Sequence, residues 1–117
     1  SSAASDVYKR QQHMLEANGV SYIEPDVSNC GGITVWMKVA KLAEARNLPV
    51  TSHGVHDIHV HLLGAIPNAS YLEVHGFGLE RFIEEPLRIQ DGYATANERS
   101  GHGISFDWKA LEEYRIS

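Results

Sequence analysis

Val20-Ser-Tyr-Ile-Glu-Pro-Asp26 is the stretch on which the fold turns. Val20 to Ile23 has the apolar, β-favouring character of a short strand. Pro25 ends it, because the residue before a proline is pushed extended and proline cannot donate to a ladder. Two further runs repeat the plan: Pro49-Val-Thr-Ser52 followed by His53, and Tyr71-Leu-Glu73. Between them lie helical patterns. Gly31-Gly32 opens one in which Ile33, Trp36, Met37, Ala40, Leu42 and Ala43 recur at steps of three and four, up to Asn47. A second begins near Asp57, carries Ile58, His61, Leu62 and Ala65, and stops before Pro67. An earlier helix through Met14, Leu15 and Ala17 ends at Asn18-Gly19, a left-handed stop signal. Helix and strand in alternation predict an α/β chain with a parallel sheet and crossover helices.

Downstream the pattern changes. Leu87-Arg-Ile89 and Tyr93-Ala-Thr95 flank Asp91-Gly92, a hairpin signal. Gly101-His-Gly103 predicts a turn, and Asp107 a cap for a last short helix over Trp108, Leu111 and Tyr114.

The chain has 117 residues, is 43% hydrophobic and 21% charged, and carries a net charge of −5. That describes a globular domain. Its ten basic residues are scattered among fifteen acidic ones, which argues against a nucleic-acid partner. No apolar run reaches the ~20 residues of a membrane span, so no membrane partner is expected. The single Cys30 allows no internal disulfide and fits a cytoplasmic location. Residues 1–11 differ from the rest: Ser-Ser-Ala-Ala-Ser is small and polar, and Asp6 to Gln11 shows no clear apolar face. We expect 1–11 to be a non-native or disordered segment resembling adapter read-through, and 12–117 to be the structural unit. An ordinary helix start capped by Ser5 or Asp6, with Met14 and Leu15 buried, is the alternative.

In a parallel α/β barrel the chemistry collects at the C-terminal ends of the strands. Asp26, His53 and Glu73 stand at those ends, 27 and 20 residues apart. This spacing suits adjacent staves of one rim. A carboxylate beside an imidazole can fix its tautomer and raise its basicity, and a further acid can serve opposite it. Singly, each residue is as easily a helix approach or cap. His53, His56, His59 and His61 also crowd into nine residues, which raises zinc as a possibility. A helical zinc pair wants ligands at i and i+4 with a third partner. His59 and His61 lie two apart, and no carboxylate or cysteine completes His56 and His59. We expect His56 and His59 to line the mouth of the site and His61 to pack beside the strands.

The local motifs narrow the choice. Ile23-Glu-Pro-Asp26, Gly31-Gly-Ile-Thr34, Lys38-Val-Ala-Lys-Leu-Ala-Glu-Ala45, Ser52-His53, His61-Leu-Leu-Gly-Ala-Ile-Pro67, Tyr71-Leu-Glu73, Glu85-Pro-Leu87, Asp91-Gly92 and Gly101-His-Gly-Ile104 follow one another. In that order, from about Met14 to Ile116, the chain resembles the mandelate racemase subgroup of the enolase superfamily. The resemblance implies the last three βα units of a TIM-type (β/α) barrel plus a C-terminal hairpin and tail. It matches Asp26 and His53 to a carboxylate–imidazole dyad after the sixth and seventh strands, and Glu73 to an acid ending the eighth that hydrogen-bonds the substrate carboxylate. His56 is a candidate substrate contact. Asn97 and Ser100 stand where the family usually has prolines, and His102 where it has leucine.

The resemblance further implies a Mg2+ cofactor whose ligands lie outside this chain, a small-molecule carboxylate substrate and a homo-oligomeric parent. The implied reaction abstracts the proton α to a carboxylate. An acid-sugar dehydratase is the leading expectation, with a racemase or epimerase as alternative, and a truncated chain without activity of its own as a reading of a different class.

Overall fold

The computed structural model describes residues 2–75 and 77–116. Its elements are α1 (Ser2–Glu16), α2 (Ile33–Glu44), α3 (His56–Gly64), a 3-10 turn (Leu79–Phe82), β1 (Ile89–Gln90), β2 (Tyr93–Ala94) and α4 (Trp108–Glu112). Between the helices run three short parallel staves. They pair at single positions, Ile23 with Val50 and Val50 with Ala69. Ile23 N donates to Pro49 O and Thr51 N to Ile23 O, while Val50 N donates to Asn68 O and Ser70 N to Val50 O. The expected parallel order is present, in shorter strands than the sequence suggested. The third stave also pairs two residues earlier than Tyr71–Glu73. Hydroxyls of the second stave take over there: Thr51 Oγ1 donates to Tyr71 O at 2.6 Å, and Glu73 N donates to Ser52 Oγ at 3.0 Å.

One face of the staves is covered by helices. Ile23, Val50, Leu15, Trp36, Val39, Ala40, Ala43, Leu62 and Leu63 form the core cluster. Tyr22, beside buried Ile23, and Tyr71, beside partly buried Leu72, are exposed on the other face. The sheet is therefore covered on one side, and both of its edges are unpaired among the described residues. The molecule is a slab 47 × 39 × 23 Å with a radius of gyration of 15.6 Å. A closed domain of this length would have about 13.4 Å. The shape is an arc of staves with helices outside.

The helix ends follow local chemistry. Asn18 and Asn47, just past α1 and α2, adopt left-handed φ of 50° and 55°. In α2 the stripe includes Val39 and leaves Ile33, the first residue of the helix, half exposed. The segment expected to be non-native or disordered is helical from Ser2, and Tyr8 packs with buried Leu15 against the core while Met14 is half exposed.

The tail holds three of its expected features, the turn at Gly101-His-Gly103 among them. Asp91 (φ 53°) and Gly92 (φ 78°) make the two-residue turn joining β1 to β2, with Ile89 opposite Ala94. Asp107 Oδ1 accepts from Ala110 N at 3.0 Å and caps α4. Trp108 and Tyr114 do not form a buried face. Both are exposed, since α4 has only five residues and meets the body through the 3-10 turn, where Tyr114 packs edge-on to Phe82. Asn97, where a proline was expected, accepts from Arg99 N through its side chain and so shapes the turn that Gly103 closes.

Candidate active site

The chain leaving the first stave turns at once. Asp26 Oδ1 accepts from Ser28 N (2.8 Å) and Ser28 Oγ (2.6 Å), and Oδ2 accepts from Asn29 Nδ2 (2.6 Å). Asn29 N and Cys30 N both donate to Asp26 O. An aspartate that binds the backbone two residues on is an Asx turn, and Ser28 and Asn29 are residues suited to it. This fixes the carboxylate at the rim. Burial pushes the Asp26 carboxyl pKa up. The hydrogen bonds from Ser28, Asn29 and His53 outweigh that, so it lies below the usual aspartate value. Cys30, beside this turn, is buried, and burial raises its thiol pKa. It is not an activated nucleophile.

His53 follows the second stave and is half exposed. Its Nδ1 lies 3.4 Å from Asp26 Oδ2, a long hydrogen bond of the kind that tightens when a site is completed. An Nδ1–H donating to the carboxylate leaves Nε2 with its lone pair, the form a general base requires. Gly54 comes next, at φ +64°. A Cβ there would sit 3.3 Å from a ring carbon of Phe77 and 3.7 Å from Asp26 Oδ2. This backbone lets Gly54 N donate to Glu73 Oε2 at 2.6 Å. Val55 follows at φ 35°, ψ 56°, an unusual conformation for a β-branched residue.

Asp26, His53 and Glu73 are therefore gathered around the His53–Gly54 segment, each at the C-terminal end of its stave. Beside them is a cavity of about 390 Å³ lined by Tyr22, Glu24, Thr51, Ser52, Tyr71, Leu72 and Glu73. A larger one, about 570 Å³, lies between α3 and the hairpin and has neither acid nor imidazole in its lining. Polar groups converge at the rim and not in this larger cavity.

The remaining histidines fall differently from expectation. His56, the candidate substrate contact, is buried at the start of α3. Its Nε2 lies 3.3 Å from Asp57 Oδ2, and it borders a cavity shared with His75, Phe77 and Leu87 that none of the three rim residues lines. His59, expected at the mouth, is fully buried beneath the rim. His61, expected beside the strands, is only partly buried. The cause is the phase of α3: it starts at His56, one residue early, and buries His56, His59, Val60, Leu62 and Leu63. Among the described residues no three His, Cys, Asp or Glu side chains come together as metal ligands. No helix among them is long and apolar enough to cross a membrane.

Comparison with known proteins identifies the family. The family model described as enolase C-terminal domain-like matches residues 6–110. The 3,6-anhydro-alpha-L-galactonate cycloisomerase of Streptomyces coelicolor is 48% identical over 97 residues, 83% of this chain and 27% of that protein. A crystal structure of a racemase from Streptomyces coelicolor A3(2) with bound magnesium matches at TM-score 0.85 and 42% identity, covering 91% of this chain and 29% of that one. The L-talarate dehydratase from Polaromonas sp. JS666, complexed with Mg and L-glucarate, matches at TM-score 0.80 and 30% identity, over 88% of this chain and 28% of its own. The chain thus spans under a third of the length of the relatives it matches.

Proposed function

This chain belongs to the enolase C-terminal domain-like family, and we propose that it is the C-terminal part of a magnesium-dependent barrel enzyme that removes the proton α to the carboxylate of an acid sugar. The observation that carries the reading is the meeting of Asp26, His53 and Glu73 at one rim, through the Asp26–His53 contact and the Gly54–Glu73 hydrogen bond. In this proposal His53 takes the α-proton through Nε2, or returns one to an expelled β-oxygen. Asp26 orients the ring and balances the imidazolium that forms. Glu73 faces the substrate carboxylate.

Among the described residues no group of acids, histidines or cysteines gathers as a magnesium site. The metal of the similar structures would be held by residues outside it, and its chemistry is to stabilise charge developing on the substrate oxygens. We infer a small-molecule carboxylate as the partner, a homo-oligomeric parent and a cytoplasmic location, the last on the unpaired Cys30. The segment alone is expected to have no turnover.

Dehydration and isomerisation share their first step. In an acid sugar with a free hydroxyl on C3, loss of the C2 proton expels water, and the reaction is a dehydration. In a 3,6-anhydro sugar acid the ring oxygen occupies that β position. Its expulsion opens the ring with no atom lost, and the reaction is an isomerisation. The 48% identity to a 3,6-anhydro-alpha-L-galactonate cycloisomerase favours the second outcome. The expected dehydratase is the alternative, and the 30% identical L-talarate dehydratase supports it.

The test uses the complete enzyme with 3,6-anhydro-L-galactonate and with L-talarate. One substrate should turn over, and His53→Asn should lower that rate by ~10²–10⁴-fold, the usual worth of a positioned general base. Unchanged turnover in His53→Asn on the accepted substrate would end this mechanism.

A further inference from the structure

We propose that His59, together with Trp36, is a positioning residue for the Asp26–His53 pair: a buried clamp under the rim that sets the distance between the two loops. The proposal rests on the proposed function, in which that pair moves the proton. The His59 ring is fully buried, and its hydrogen bonds are all to backbone groups. Val27 N, the peptide after Asp26, donates to its Nε2 at 3.1 Å. Its Nδ1 lies 2.7 Å from Gly54 O, the residue after His53, and 3.1 Å from Val55 O.

These partners define the ring's state. A backbone N–H can only donate, so Nε2 must carry the lone pair. A carbonyl can only accept, so Nδ1 must carry the proton. His59 is thus a neutral imidazole used as a two-ended strut from the first rim loop to the second. Both of its ends touch a peptide adjacent to a member of the pair.

Trp36 completes the clamp from α2. Its Nε1 donates to Pro25 O at 2.9 Å, on the other side of Asp26, and its ring lies 5.9 Å from that of His59. Pro25 C=O and Val27 N–H are therefore both held by buried rings. Asp26 cannot shift along its loop without breaking one of these hydrogen bonds, and His53 cannot withdraw without stretching the Gly54 contact. The Asp26–His53 contact is itself long and half exposed, so it does not set its own geometry. The clamp beneath it does.

The experiment compares His59→Leu, His59→Gln and Trp36→Phe with His53→Asn in the complete enzyme, on whichever of 3,6-anhydro-L-galactonate or L-talarate it accepts. Misplacing a reacting group by about 1 Å costs on the order of 10²-fold. His59→Leu should lower kcat by roughly 10- to 100-fold with KM nearly unchanged. His59→Gln should recover part of the loss, because its amide oxygen can still accept from Val27 N. Trp36→Phe, which keeps the ring and loses the donor, should fall between. A lowered Tm with wild-type kcat in all three, while His53→Asn is inactive, would reduce the clamp to a packing element and overturn this inference alone. Wild-type turnover in His53→Asn would overturn the proposed function and the clamp with it. Should the His59 variants not fold, the wild-type enzyme decides: ¹⁵N spectra of labelled histidine should show His59 with Nδ1 protonated and Nε2 bare. The opposite tautomer, or a doubly protonated ring at neutral pH, would overturn the proposal.

Discussion

Asp26 and Asp91 both open turns, and the two turns are built on different principles. At the rim, Asp26 has each carboxylate oxygen engaged, and the peptides on either side of it are held by Trp36 from α2 and His59 from α3. At the hairpin tip, Asp91 and Gly92 are exposed and left-handed, and the turn joins the paired strands β1 and β2. One turn is local chemistry that any chain with Asp-Gly could make. The other begins as a local Asx turn with Ser28 and Asn29 and is then held from Trp36 and His59, 10 and 33 positions from Asp26. The contrast indicates where precision has been invested: in the loops that carry ionisable side chains, not in the tail.

That contrast breaks most visibly at Gly54. Gly54→Ala places a methyl in a left-handed backbone and against the Phe77 ring. We expect it to displace the N–H that Glu73 accepts and to reduce turnover of the complete enzyme by roughly 10²-fold, read as kcat at saturating substrate. The matching change in the tail, Gly92→Ala, meets no neighbouring atom within 4 Å and pays only for its left-handed φ, about 1 kcal/mol. In a thermal melt it should lower Tm by a few degrees or less and leave kcat at the wild-type value. Equal kinetic effects of the two substitutions would erase the distinction between rim and tail.

The positions of Asp26, His53 and Glu73 were legible in the sequence because strand ends in a parallel sheet are marked by Pro25 and by the helical periods that follow. The Asp91-Gly92 hairpin and the Asp107 cap were legible for a similar reason, as both are written in neighbouring residues. What the sequence did not reveal depends on tertiary phase. The four histidines at 53, 56, 59 and 61 look alike in a string, and only the start of α3 at His56 turns His59 inward and leaves His61 partly outside. A polar ring on an apolar helix face has no signature until the backbone groups it will satisfy are in place. Ser28 and Asn29 were a readable signal, since an Asx turn directly after a strand holds the aspartate that opens it. The tail aromatics misled for the opposite reason: Trp108, Leu111 and Tyr114 have helical spacing, but a five-residue helix has too little surface to bury them.

The central claim is that Asp26 and His53 act as one unit, with the carboxylate working only through the ring it orients. A kinetic double-mutant cycle in the complete enzyme tests it, comparing Asp26→Asn, His53→Asn and the double variant on the accepted acid-sugar substrate. Residues that act as a unit are strongly non-additive. The account predicts that Asp26→Asn costs less than His53→Asn, and that the double variant is no slower than His53→Asn alone. Losses that multiply, with the double variant slower by the product of the two single effects, would mean that Asp26 and His53 act independently and would contradict the account.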